Sequence, residues 1–208
     1  MNAVAEEVKL LKLDLGCGPN KREGFIGVDS RQFDGKVDQV VDVAKLKSIR
    51  PITERNEALD EYRPTVYGVS CYEPWPWADN SVEEIHCSHM LEHLRPTERV
   101  HFANEAYRIL IPGGKVSIIT PHAFAERAYG DLTHQWPPVT GFWTFYLDKG
   151  WRAGNAPHND FYTCDFACTW GYSMHPGILA KNAEYQQHAL CFFKEAAQDM
   201  ILTMTARK

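Results

Sequence analysis

Leu11–Asp29, LKLDLGCGPNKREGFIGVD, is the stretch on which the reading of this chain turns. A short apolar run ends in an acid, Asp14. Two glycines, Gly16 and Gly18, follow on either side of Cys17, and a second apolar run ends in another acid, Asp29. Strand, glycine turn, strand and carboxylate is the order of a nucleotide site in an α/β sheet, with the acid accepting from a ribose. Glycine at the turn lets the backbone approach a ligand that a side chain would hold away. A dinucleotide fingerprint needs a third glycine three places after the second, and Lys21 stands there. The acid of that fingerprint comes about 20 residues on, whereas Asp29 comes sooner. Asp14, just ahead of the turn, would repel a pyrophosphate and attract a cation. The D-x-G-x-G turn therefore suits S-adenosylmethionine, which carries an ammonium and a sulfonium and no phosphate, better than NAD. The plain alternative is a strand and a tight turn with no ligand.

A second stretch, Trp77–Pro121, reads WADNSVEEIHCSHMLEHLRPTERVHFANEAYRILIPGGKVSIITP. A turn at Ala78–Ser81 leads into a strand over Val82–Cys87, ending at Ser88 and His89. Pro96-Thr97 opens a helix with Glu98 in its first turn. Val100, Ala103, Ala106, Tyr107 and Leu110 recur at helical spacing. Pro112-Gly113-Gly114 stops it, and Lys115–Thr120 is an apolar, β-branched strand. The D-x-G-x-G turn, the D-N-S turn, the S-H-M-L-E-H-L run and the helix closing in L-I-P-G-G-K together resemble a class I S-adenosylmethionine-dependent methyltransferase of the type 11 group. The resemblance covers roughly the first 120 residues, less one insertion. It implies a Rossmann-like, mostly parallel sheet with helices on both faces and an antiparallel C-terminal edge strand. It also implies S-adenosylmethionine as cofactor and methyl transfer as activity.

The chain has 208 residues, 44% hydrophobic and 12% aromatic, enough for a single domain with a full core. No apolar run approaches the length of a membrane span. The acidic start, MNAVAEEVK, has no basic region and no apolar run, so it does not read as a secretory signal. The net charge of −5 argues against a broad nucleic-acid surface. Six cysteines, Cys17, Cys71, Cys87, Cys164, Cys168 and Cys191, show no disulfide framework and no C-x-x-C, which points to a cytoplasmic chain. No pair among the nine histidines has a strong zinc spacing, so no metal site is expected.

Between Gly16 and the next strand, Phe25–Asp29, lie only about ten residues. A crossover helix between parallel strands usually takes a dozen or more, so at most one turn around Asn20–Glu23 fits. This resembles a methyltransferase subgroup with a shortened first helix. Val37–Val43 reads as a third strand with Asp42 near its end. The charged, proline-rich stretch of about 45–72 interrupts the family pattern, with Glu54–Tyr62 as a candidate short helix. It is either a lid near the site or a solvated loop. Pro121–Pro157 is a long loop dense in aromatics, including Trp136, Phe142, Trp143, Phe145, Tyr146 and Trp151. These rings either wall a flat acceptor or form a small satellite core. Phe161–Tyr172 and Met200–Thr205 read as late strands joined through a helix within Asn182–Ala197.

The candidate cofactor set is Asp14, Gly16, Cys17, Gly18, Asp29, Asp42, Ser88 and His89. Asp14 would face the methionine ammonium through water or backbone, Asp29 suits the ribose, and the resemblance places Asp42 by the adenine amine. Methyl transfer mainly requires alignment of the nucleophile. A base matters when the acceptor is a hydroxyl or a protonated amine, and histidine suits that task. His89, His122 and His134 are the catalytic candidates, because they follow strands at the ligand-bearing edge or lie in the loop above it. Glu92 and His93 read as a pair that fixes the loop. Asp131-Leu132-Thr133-His134 resembles a D-x-T-H element found after the fifth strand in relatives, with Asp131 orienting His134. The expected acceptor is a small molecule, sugar or base. The rivals are a non-catalytic cofactor-binding module or partner subunit, and a nucleic-acid or protein methyltransferase. Acidic charge and the lack of an N-P-P-Y-type motif disfavour the last.

Overall fold

The computed structural model describes residues 10–51 and 68–208. The first strand, β1 (Leu11–Leu15), is fully enclosed in the middle of a sheet, with Leu13 and Leu15 wholly buried. It pairs in parallel with β2 (Ile26–Asp29) on one side and β6 (Val82–Ser88) on the other. Beyond β2 lies β3 (Gln39–Val40), and beyond β6 lies β7 (Leu110–Pro121). The C-terminal strand β9 (Ala197–Ala206) is antiparallel to β7, and β8 (Phe166–Met174) pairs antiparallel outside it. The seven-stranded order is β3-β2-β1-β6-β7-β9-β8. The chain thus runs outward from β1 to β3, returns past β1 and continues to the other side. That reversal opens a crevice at the carboxyl ends of β1 and β6, the place where open α/β sheets bind ligands.

The β1–β2 crossover contains no helix, only turns, including Asn20 N–H to the Cys17 carbonyl (3.2 Å) and Phe25 N–H to that of Arg22 (3.3 Å). Long side chains cover the sheet where a helix would otherwise lie. A Cβ built on Gly27 of β2 would stand 2.7 Å from Cδ of Lys21, so the lysine stem runs directly over that glycine. Its ammonium ends on Asp38 at 2.9 Å, and Asp38 also accepts the Gly27 N–H at 2.7 Å. The third strand is shorter than Val37–Val43, and Asp42 sits two residues past its end.

The expected helix is α1 (Pro96–Ile109), with proline in its first turn. The Glu98 carboxylate accepts from Arg95 N–H at 2.6 Å and closes that end. Phe102, Ala103, Ala106 and Ile109 are its buried stripe, with Val100 and Tyr107 at the margin. β7 begins at Leu110, earlier than Lys115. Leu110 already pairs with Val82, and the proline and glycines form a bulge with Gly113 at φ +77° before pairing resumes at Lys115. The two ends of the 45–72 insertion pair as antiparallel strands, β4 (Leu46–Pro51) and β5 (Gly68–Tyr72). The expected helix at Glu54–Tyr62 lies outside the described residues.

The stretch 121–157 is not an irregular loop. It holds α2 (Arg127–Gly130), a 3-10 segment at Gly141–Leu147 and α3 (Lys149–Asn155). Asp148 caps α3 by accepting the Trp151 N–H at 2.8 Å. Phe142, Phe145, Tyr146 and Trp151 pack on one another, and Phe145 meets Trp170 of β8 at 6.0 Å. This cluster lies at the β8 edge and lines neither cavity of the sheet's carboxyl end, with Phe142 and Phe145 still exposed. Between β8 and β9 lie α4 (Pro176–Leu179) and α5 (Ala183–Phe192), the latter capped by Asn182. Among the described residues no helix is long and apolar enough to cross a membrane.

Candidate active site

Two cavities open at the carboxyl edge of the sheet. The first, about 480 Å³, runs past Gly16 at the end of β1, Asp29 at the end of β2, and Asp42 after β3. Its apolar lining includes Val28, Phe33, Val41, Val43, Met90 and Leu94. The second, about 680 Å³, lies beyond β6 and β7 and is lined by His89, Glu92, His93, Arg127, Asp131 and His134, among others. His89 and His93 line both, so the two cavities adjoin at those rings.

The glycine turn is built from hydrogen bonds that reach back to β2. Gly16 N–H donates to the Val28 carbonyl (2.8 Å), and Gly18 N–H to Oδ2 of Asp29 (3.0 Å). Gly16 has φ +70°, and an added Cβ would stand 2.5 Å from Cγ of Met90. Gly18 has φ +51° with open space around it. Both positions therefore need glycine, Gly16 for two separate reasons.

The model of a methyltransferase domain family matches residues 13–118, just over half of the chain. The chain belongs to this methyltransferase family. A methyltransferase dependent on S-adenosylmethionine (SAM) from Archaeoglobus fulgidus has a similar fold, with a TM-score of 0.57 and 17% identity over 94% of this chain and 86% of that one. Another such methyltransferase, from Mesorhizobium loti, gives a TM-score of 0.45 and 13% identity over 94% of this chain and 90% of that one. No curated protein matches the sequence.

The methyltransferase brings four of the eight expected cofactor residues into the first cavity: Gly16, Asp29, Asp42 and His89. Asp14 does not line it. That carboxylate is buried under the turn, where its Oδ2 accepts the Arg22 N–H at 2.8 Å and shapes the loop. Cys17 packs down toward Gly27, and burial beside the Asp14 and Asp29 carboxylates pushes its thiol up to about 11. Gly18 acts through its bond to Asp29, and Ser88, the last residue of β6, lines neither cavity. Asp42 is exposed at the rim, where Oδ1 accepts the Ala44 N–H at 3.0 Å.

Of the three candidate bases, His89 and His134 line the second cavity and His122 does not. His122 is buried at the β8–β9 side, its ring 4.9 Å from that of Tyr172 and 5.6 Å from that of Phe124. Burial lowers its pKa, and its Nδ1 has no hydrogen-bond partner. His89 sits at φ +52°, a conformation rare outside glycine that costs about 1–3 kcal/mol and collects at functional sites. Its backbone N–H donates to the Ile119 carbonyl at 2.9 Å, and its Nδ1 lies 3.3 Å from Oε1 of buried Glu92. That hydrogen bond raises the His89 pKa above the ordinary imidazole value. The other Glu92 oxygen accepts from the Thr120 hydroxyl at 3.3 Å.

One organising residue carried no sequence signal. Arg99 of α1 is buried, and its guanidinium donates to the carbonyls of Leu91 (3.2 Å), Gln135 (3.0 Å) and Pro137. It ties the His89–His93 turn to the segment carrying His134. Met90 and Leu94 were also hidden, because an apolar residue in a loop reads as core.

Proposed function

We propose that the chain works as one cofactor-binding domain that transfers a methyl group from SAM to a small-molecule acceptor, a sugar or a base. The first cavity is the cofactor's and the second the acceptor's. What carries the reading is His89, which lines both cavities. The first cavity suits SAM by its chemistry: glycine backbone at one end, carboxylates of Asp29 and Asp42 along the rim, and apolar walls between. Asp29 would accept from the ribose hydroxyls and Asp42 would stand by the adenine amine. The volumes of about 480 and 680 Å³ lie in the range for small-molecule sites, roughly 300–1,000 Å³. When bound, SAM supplies a methyl carbon already activated by a sulfonium. The protein's part is alignment and proton removal. Glu92 holds His89 through Nδ1, so Nε2 is the atom that takes the acceptor's hydroxyl or amine proton and later releases it to water. The net charge of −5 keeps nucleic acid a secondary reading.

S-adenosylhomocysteine (SAH) calorimetry and SAH release with a panel of sugars, nucleobases and small amines test this. Binding together with acceptor-dependent release is the expected result, and His89→Gln should slow release by about 10²–10⁴. A protein that binds no SAH ends the reading. Binding without turnover on any acceptor makes the chain a cofactor-binding module, and turnover only on nucleic acid or protein makes it a macromolecular methyltransferase.

A further inference from the structure

Glu92, His93 and His134 bring one donor atom each to within 4.8 Å of one another in the second cavity. Their hydrogen bonds set the ring tautomers. Thr133 Oγ1 donates its single proton to Oδ1 of Asp131 (2.7 Å), so at its 2.9 Å contact with Nδ1 of His93 it can only accept. Nδ1 of His93 therefore carries the proton. Nδ1 of His134 faces the Ala128 carbonyl at 3.2 Å, another acceptor, and must carry a proton too. Each neutral ring is left with an unprotonated Nε2. The two rings meet edge to face with centroids 4.8 Å apart. Nε2 of His134 also stands 3.8 Å from Oδ2 of Asp131, lone pair toward lone pair.

We propose that Glu92, His93 and His134 form a binding site for one divalent transition-metal ion, with Zn²⁺ as the type ion. Two imidazoles and a carboxylate leave coordination positions open, the arrangement of zinc sites that exchange water and of two-histidine, one-carboxylate iron sites. With Nε2 as the ligand atom, both rings are anchored through Nδ1, one by a carbonyl and one by a hydroxyl backed by a carboxylate, which is how metal-binding histidines are held. The Glu92 carboxylate is buried, so a cation beside it offsets its desolvation. Ligands of a tetrahedral ion with 2.0–2.1 Å bonds stand about 3.4 Å apart, so binding draws the widest pair together by up to about 1.4 Å. Linear spacing hides the site, since Thr133 and His93, which touch, are 40 residues apart. If the second cavity is the acceptor's, the ion would also ease proton loss from an acceptor hydroxyl. That consequence rests on the methyl-transfer reading, while the binding of the ion does not.

The test uses the full chain freed of metal by a chelator. Zn²⁺ is titrated by calorimetry, and Co²⁺ serves as an absorbing probe. One Zn²⁺ per chain is expected, with binding lost in His134→Ala and His93→Ala. Thr133→Val, which removes only the support of His93, should weaken it about 10–100-fold. Circular dichroism checks the fold of each variant. Absence of stoichiometric binding to the wild type overturns the proposal whatever the variants do. Unchanged affinity in folded His134→Ala, or thiolate-to-cobalt bands that place the ion on cysteine, also overturns it. No cofactor or acceptor enters the measurement, so failure here leaves the methyl-transfer reading standing, and loss of SAH binding leaves this one.

Discussion

Replacing Gly16 by alanine separates two reasons for a glycine at the head of the cofactor loop. The first is conformational. At φ +70° an L-residue costs about 1–2 kcal/mol. The second is steric, because the new Cβ would lie 2.5 Å from Cγ and 2.6 Å from Cβ of Met90. Overlap of that kind costs about 1–3 kcal/mol in a packed site. The expected loss of stability is therefore about 2–5 kcal/mol. Gly18 is the internal control. At φ +51° with nothing within 4 Å, Gly18→Ala should lose only the conformational part, about 1–2 kcal/mol. Urea unfolding followed by circular dichroism reads both. In the double variant Gly16→Ala, Met90→Ala, the overlap disappears, so the two changes should be non-additive by about 1–3 kcal/mol in the compensating direction. SAH calorimetry should show weaker binding by folded Gly16→Ala, since Met90 lines the same cavity. Equal losses for Gly16→Ala and Gly18→Ala, or additivity with Met90→Ala within about 0.5 kcal/mol, would refute the steric argument.

Asp29→Ala should weaken SAH binding by roughly 1.5–3 kcal/mol, the range for hydrogen bonds to a charged group; calorimetry checks it, and unchanged affinity takes Asp29 out of the site. The Glu92 hydrogen bond raises the His89 pKa, so the base form accumulates only above the ordinary imidazole value of about 6.5, and turnover should rise with pH through that higher value. Glu92→Gln should move this acid limb to lower pH; a limb that stays in place uncouples the pair. By the same linkage, the raised pKa adds stability below about pH 6.5, and that contribution disappears as pH rises through the folded value. Arg99→Met strands the carbonyls of Leu91, Gln135 and Pro137 and should destabilise the protein by about 2–4 kcal/mol in urea, with amide exchange rising at 133–137; a loss under about 0.5 kcal/mol, the range of ordinary surface changes, would deny its bridging role.

The geometry that sequence reading reaches best is local. Gly16, Gly18 and Asp29 lie within one turn and one strand, and their spacing alone sets their geometry. A carboxylate before a glycine turn, such as Asp14, can face the ligand or the loop's own N–H groups, and here one of its oxygens holds the Arg22 N–H. Position along the chain does not separate the two. His122 follows β7 as expected, yet backbone direction and the presence of Tyr172 turn its ring away from the cavities. The aromatic stretch was read as either wall or satellite core, and only the pairing of β8 brings Trp170 alongside Phe145.

The sequence by itself determined the parallel α/β frame, the glycine turn after the first strand and the carboxylate that ends the second, because alternating apolar runs, glycines and capping residues act over a few neighbours. Tertiary structure decided everything that joins distant segments. It set the meeting of the two cavities at His89 and His93, the cover of Gly27 by Lys21 in place of a helix, and the clip formed by Arg99. It also set the approach of His134 to Glu92 and His93. Such contacts depend on which strands lie side by side and on how loops of different length cross the same edge. That information resides in the packing of the whole sheet and not in the spacing of any motif.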